Sequence, residues 1–137
     1  MFPPSTRFLV VDDFATMRKI IKKVLNELGY SNIVEADDGA TAWPLIDASH
    51  GKGEPIEVVI SDWNMPQMQG IDLLKHCRTD ARFKALPFML VTAESEQKQI
   101  LEAAQAGVSN YVVKPFNSVT LKQKLEQVYA KHQPKAA

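Results

Sequence analysis

The chain has 137 residues, 45% hydrophobic and 23% charged, enough for one domain with a core of its own. Lys plus Arg and Asp plus Glu each number 16, so the formal net charge is zero and no global field draws the protein to nucleic acid or to an anionic membrane. A single cysteine, Cys77, excludes an internal disulfide; no apolar run approaches the roughly 20 residues of a membrane helix, and Met1 to Thr6 lacks the basic and apolar regions of a secretion signal, so a soluble, cytoplasmic protein with no membrane insertion is expected.

Short apolar runs alternate with helical stripes along the chain. Phe8 to Val11 reads as a buried strand, and Met17, Ile20, Ile21, Val24, Leu25 and Leu28 recur at helical spacing until Gly29, a C′ residue by type. Asn32 to Glu35 reads as a second strand and Ala40 to Asp47 as a second helix. Ser49 to Pro55 reads as a loop by its composition. Val58 to Ile60 is the third strand, and Ile71, Leu74 and Cys77 mark a third helix. Phe88 to Val91 is the fourth strand, and a fourth helix runs from Gln97 to Ala106, ended by Gly107. Tyr111 to Val113 is the fifth strand; Val119, Leu121, Leu125, Val128 and Tyr129 mark the last helix. This alternation predicts an α/β three-layer sandwich with a parallel five-stranded sheet covered on both faces. One domain is expected over residues 1–137, with a core of about 6–131 and a frayed tail at 133–137.

In such sheets ligands sit at the carboxyl ends of the strands. The first strand ends in Asp12-Asp13, the second in Glu35, the third in Ser61-Asp62, the fourth in Thr92 and the fifth in Lys114-Pro115. If strands one, three, four and five are neighbours, three carboxylates, a hydroxyl and an ammonium converge at one edge. Carboxylates that close stay ionised together only with a cation, and an all-oxygen set suits Mg²⁺. An Asp carboxylate can attack phosphorus, while a metal and Lys114 neutralise phosphoryl charge and Thr92 donates a hydrogen bond. Taken singly, each of these residues is a solvated charge at a strand end; together they amount to a phosphoryl acceptor with its own metal site.

At these residues the chain resembles the response-regulator receiver family, and within it the chemotaxis regulators. The stretches that carry the resemblance are Phe8-Leu-Val-Val-Asp-Asp-Phe14, Val59-Ile-Ser-Asp-Trp-Asn-Met-Pro66, Leu90-Val-Thr-Ala-Glu94, Ala103-Ala-Gln-Ala-Gly107 and Tyr111-Val-Val-Lys-Pro-Phe116. The resemblance implies the flavodoxin-like (βα)5 strand order 2-1-3-4-5, an order for which chemotaxis regulators are themselves a known example. It implies Asp62 as phosphoacceptor. Mg²⁺ would be held by Asp13, Asp62 and the backbone carbonyl of Asn64, with Asp12 acting through water. Lys114 would bridge to the phosphoryl group. Thr92 would move to bond that group once it arrives, and Tyr111 would turn inward after it. The Lys114–Pro115 peptide is expected to be cis. Asn64 and Glu94 would set how long the phosphoryl group survives.

The implied donor is a histidine kinase, and the implied readout face is helix four, strand five and helix five, carrying Ser95, Ile100, Tyr111, Val113 and Lys124. In chemotaxis regulators that face binds the flagellar motor switch. A helper phosphatase is a further possible partner. The expected protein is a monomer, and no enzyme beyond its own phosphoryl transfer and autodephosphorylation.

Other readings fit less well. A phosphatase or dehalogenase with an Asp nucleophile would carry Asp-x-Asp-Gly-x-Thr after the first strand, where this chain has Asp12-Asp13-Phe14. A flavodoxin needs a hydroxyl-rich phosphate loop there, and two carboxylates would repel the flavin phosphate. A pseudo-receiver scaffold would tolerate loss of the acids, the Thr or the Lys. A phosphorelay intermediate or phosphate sink outside chemotaxis is the near alternative.

Several residues depart from the pattern or carry no evident chemistry. Pro44 within the second helix predicts a first-turn position or a kink, since an interior proline costs ~3 kcal/mol. The 49–55 loop reads as longer than usual. Trp63 is expected to be a partly exposed packing residue, His50, His76 and His132 to lie on the surface, and Cys77 to be core.

Overall fold

The computed structural model describes residues 2–93 and 97–132. Strands and helices alternate throughout: β1 Phe8–Val11, α1 Ala15–Glu27, β2 Ile33–Ala36, α2 Gly39–Gly51, β3 Val58–Asp62, α3 Gly70–Thr79, β4 Phe88–Thr92, α4 Gln97–Gln105, β5 Asn110–Val113 and α5 Ser118–His132. The strands form one sheet in the order β2-β1-β3-β4-β5, every pair parallel.

The period-two geometry of a strand sends neighbouring side chains to opposite faces. Leu9, Val11, Val59, Phe88 and Leu90 therefore pack with Ile46 of α2, Leu73, Leu74 and Cys77 of α3 and Ala103 of α4. Phe8, Val10, Val58, Ile60, Met89 and Val91 pack with Ile21, Val24 and Leu25 of α1 and Leu121 and Leu125 of α5. This two-sided burial explains why β1, β3 and β4 are buried at every position while the edge strands β2 and β5 are not. Ile20 is 44% exposed, against the stripe that sequence spacing gave it. It sits at the margin of the α1 apolar arc and borders a groove with Met17, Lys114, Pro115 and Phe116. Gly29 (φ 98°) and Gly107 (φ 87°) take the left-handed conformation after α1 and α4, the C′ role their positions predicted. Among the described residues no helix is long and apolar enough to cross a membrane.

The second helix differs from expectation. Pro44 lies beyond its first turn and the helix continues to Gly51, so the connection begins only at Lys52. Two things offset the lost hydrogen bond of the exposed Pro44: a capping box between Asp38 and Thr41, and burial of Ala42 and Ile46. The helix is also pinned laterally. Trp43 packs on His76 and Phe83 with ring centroids 5.4 and 5.8 Å apart, and Arg82 reaches Asp47 at 2.6 Å.

Cys77 is fully buried and its thiol is pushed up to about 12 by desolvation, which fits a core residue. His50 and His76 are exposed, but His132 is half-buried and bonds Ser109 Oγ at 2.6 Å, tying the end of α5 to the segment entering β5. Burial first, then Arg78 and Lys131, hold the His132 ring below its ordinary value of 6.5. With the folded value below the unfolded one, protonation favours the unfolded chain, so stability present above pH 6.5 is lost as pH falls beneath it. Between pH about 7.5 and about 5 the thermal midpoint of the wild type should fall further than that of His132→Gln, which does not titrate there. Equal falls would remove His132 from the pH response.

Candidate functional site

Parallel register brings the strand ends to one level: Val11 stands opposite Ser61, Asp62 opposite Val91 and Thr92 opposite Val113. Because β1, β3, β4 and β5 are neighbours, their carboxyl ends gather Asp12, Asp13, Asp62, Thr92 and Lys114. One carboxylate oxygen from each of Asp12, Asp13 and Asp62 lies within 4.8 Å of the others. Asp12 is fully buried and Asp62 is 5% exposed, with Asp13 at the rim. Lys114 Nζ stands 3.3 Å from Asp62 Oδ1 and 3.7 Å from Asp12 Oδ2.

The backbone fixes one oxygen of each buried acid. Asp12 Oδ1 accepts from the Phe14 N–H and Asp62 Oδ1 from the Trp63 N–H, both at 2.9 Å. Arg18 Nη1 donates to the Asp12 carbonyl at 2.6 Å, and its Nε bonds Glu35 at 3.2 Å. Glu35, the residue that ends the expected second strand, thus stays at the exposed sheet edge and outside the pocket. Burial raises the carboxyl of Asp12, with Phe14 and Lys114 opposing and Asp62 and Asp13 adding repulsion. Burial likewise raises that of Asp62, against Lys114 and the Trp63 N–H.

Among the described residues, Asp12 Oδ2 and Asp13 Oδ1 are buried without a hydrogen-bond partner. Buried carboxylate oxygens in that state are costly, and their convergence on a third carboxylate suits a hard cation that prefers oxygen. The residues present therefore fit Mg²⁺.

Thr92 is 4% exposed, and its hydroxyl donates to Gln99 Oε1 of α4 at 3.3 Å. Its carbonyl accepts from the Lys114 N–H, and the Lys114–Pro115 peptide is cis. Asn64 is exposed in the loop after β3. Trp63 is 6% exposed, a buried packing residue where partial exposure was expected, because its ring turns under α4; it shares a narrow gap with Thr92, Gln99, Ile100, Ala103 and Tyr111. Tyr111 is half-buried with Lys124 Nζ 4.9 Å from its ring centroid. Ile100, Val113 and Lys124 are half-buried on α4, β5 and α5. Glu94 and Ser95 lie outside the described residues.

Sequence reasoning missed Asp38, which is 6% exposed at the exit of β2 and bonds the loop after β3. Its visible signal is Asp38-x-x-Thr41 ahead of an apolar helix, a helix-start pattern. Gln99 and Arg18 carried no signal.

The sheet order and the acid triplet with a lysine at its carboxyl edge define an α/β domain of the flavodoxin-like receiver type. The family described as response regulator receiver domain matches residues 8–126, and the chain belongs to it. It is 52% identical over 125 residues to the chemotaxis protein CheY-3 of Vibrio cholerae serotype O1, covering 91% of this chain and 92% of that protein. It is 51% identical over 123 residues to the chemotaxis protein CheY of Pseudomonas aeruginosa, covering 90% and 95%. The structure of the chemotaxis response regulator CheY4 of Vibrio cholerae superposes with a TM-score of 0.77 at 31% identity, covering 90% of this chain and 98% of that one.

Proposed function

We propose that this receiver takes a phosphoryl group from a histidine kinase onto Asp62 and so switches the α4–β5–α5 face toward a chemotaxis partner, the flagellar motor switch. The observation that carries the reading is the acid triplet within 4.8 Å, two of whose buried oxygens have no hydrogen-bond partner among the described residues, with an ammonium 3.3 Å from Asp62. Asp12, Asp13, Asp62 and the Asn64 carbonyl would hold Mg²⁺, which when bound offsets charge on the carboxylates and on the incoming phosphoryl oxygens.

The steps at the protein's own residues are simple. An oxygen of the Asp62 carboxylate attacks phosphorus. The phosphorus–nitrogen bond to the kinase histidine breaks, and the imidazole nitrogen keeps the electron pair. Lys114 turns from Asp62 to a phosphoryl oxygen. Thr92 leaves Gln99 to donate to another, and Tyr111 follows into the space beneath α4. Water later cleaves the acyl phosphate, with or without a phosphatase, at a rate that Asn64 and Glu94 would tune. The protein catalyses only its own modification and acts in the cytoplasm as a monomer. The identity to chemotaxis proteins supports the motor reading over a phosphorelay role.

The test is incubation with acetyl phosphate, with and without Mg²⁺, followed by intact mass. A gain of one phosphoryl group only with Mg²⁺ is expected, together with tighter binding of a motor-switch peptide. No gain under any condition would leave a pseudo-receiver. Phosphorylation without tighter peptide binding would sink the motor assignment alone.

A further inference from the structure

The loop between β3 and α3 carries the Asn64 carbonyl, and its ends are fixed to the sheet. The Trp63 N–H donates to the Val91 carbonyl, and the Gly70 N–H returns to the Trp63 carbonyl, each at 2.9 Å. Its middle is held from elsewhere, by a residue whose own element, α2, contributes nothing to the acid pocket.

Asp38 caps α2 by accepting the Ala40 N–H at 2.9 Å. A helix cap needs no more than this and the Thr41 half of the capping box. Yet the same carboxylate accepts the Met68 N–H at 2.8 Å on Oδ1 and the Gln67 N–H at 3.0 Å on Oδ2, partners 30 and 29 residues away in sequence. Beside it the Gly39 N–H donates to the Met68 carbonyl at 3.2 Å, and a Cβ on Gly39 would meet that oxygen at 2.6 Å. Burial alone would raise the Asp38 carboxyl; the backbone donors of Ala40, Gln67, Met68 and Gly39 outweigh it and hold the group below its usual range. An ionised, nearly buried carboxylate thus bonds two successive loop amides, and charge-assisted bonds of this kind are about twice as strong as neutral ones.

We propose that Asp38 is a positioning residue for the cation pocket: by clamping Gln67 and Met68 it sets the path of the loop between two anchors, and with it the Asn64 carbonyl. This rests on the reading of the acid triplet as a Mg²⁺ site. Asp38 is not itself a ligand, since the group able to share an ion among the described residues is Asp12, Asp13 and Asp62.

The test is calorimetric titration of the unphosphorylated protein with Mg²⁺ alone, alongside amide exchange at Gln67 and Met68. Asp38→Ala should bind Mg²⁺ about tenfold more weakly, the lower end of what losing a group that orients metal ligands costs, and both amides should exchange faster. Thr41→Val removes the other half of the capping box without touching the loop; it should lower stability but leave Mg²⁺ affinity as in the wild type. If Asp38→Ala does not fold, Asp38→Asn takes its place, since the amide keeps a single acceptor oxygen and must give up at least one loop bond. Unchanged affinity in the Asp38 variants, or equal weakening in Thr41→Val, would reduce Asp38 to a helix cap and overturn the proposal. A wild type that does not bind Mg²⁺ would overturn instead the pocket reading beneath it.

Discussion

Asp62→Asn should abolish phosphorylation by acetyl phosphate and, in the same protein, raise the stability of the metal-free fold. The first effect is chemical: the amide keeps the shape but has no anionic oxygen to attack phosphorus. The second follows from burial. The folded pKa of Asp62 lies above its unfolded value of 3.8, chiefly through desolvation. A raised acid stabilises the fold where it is protonated, and that contribution is lost as pH rises through the folded value. At neutral pH the ionised group is therefore a cost, sharpened by Asp12 and Asp13 within 4.8 Å. Removing one charge should gain roughly 1–3 kcal/mol, the scale of an unsatisfied buried polar group, and the gain should shrink toward pH ~4. Mg²⁺ should invert the ranking. An ion that binds only the native state adds about 2.7 kcal/mol at a hundredfold excess over its dissociation constant, and the variant has lost a ligand. Urea denaturation with and without Mg²⁺ reads both effects. A variant no more stable than wild type without metal would mean that Lys114, 3.3 Å from Asp62, already compensates the charge.

The membership of the site was legible because four strands end in a carboxylate, a hydroxyl or an ammonium, and parallel strands of similar length must end at one level. Periodicity placed the strands; it did not order them, and the order 2-1-3-4-5 came from the family resemblance. Three features stayed hidden for different reasons. The continuation of α2 through Pro44 sets a local penalty against a capping box and the burial of Ala42 and Ile46, and tertiary burial prevailed. The role of Asp38 depends on backbone donors 29 and 30 residues away, which no periodicity reports. Trp63 is subtler: a tryptophan after Asp62 reads the same whether its ring faces water or α4, and only the gap it shares with Thr92 and Tyr111 decides.

Gly70→Ala should be among the most damaging single substitutions in the chain, although Gly70 touches no phosphoryl group and has an ordinary φ. Gly70 opens α3 with its N–H on the Trp63 carbonyl. A methyl group there would overlap the Asp62 carbonyl oxygen and lie 2.9 Å from Leu90 Cδ2. The first contact is with backbone at the end of a central strand, so no rotamer change relieves it. Either α3 shifts away from the sheet, uncovering Ile71 and Leu74, or the end of β3 moves and takes Asp62 with it. Overpacking a tight core costs typically 1–3 kcal/mol, and a backbone obstacle should place this case at or above the top of that range. At roughly 4 °C per kcal/mol for a domain of this size, the thermal midpoint should fall by about 10 °C or more. The two routes are separable. If α3 yields, stability falls while the acetyl phosphate reaction of the folded fraction survives. If β3 yields, the distance from Asp62 to Lys114 changes and that reaction slows even well below the midpoint. A thermal melt paired with single-turnover phosphorylation distinguishes them, and a variant unaffected in both would show that α3 and β3 do not approach as closely as the Gly70 contact requires.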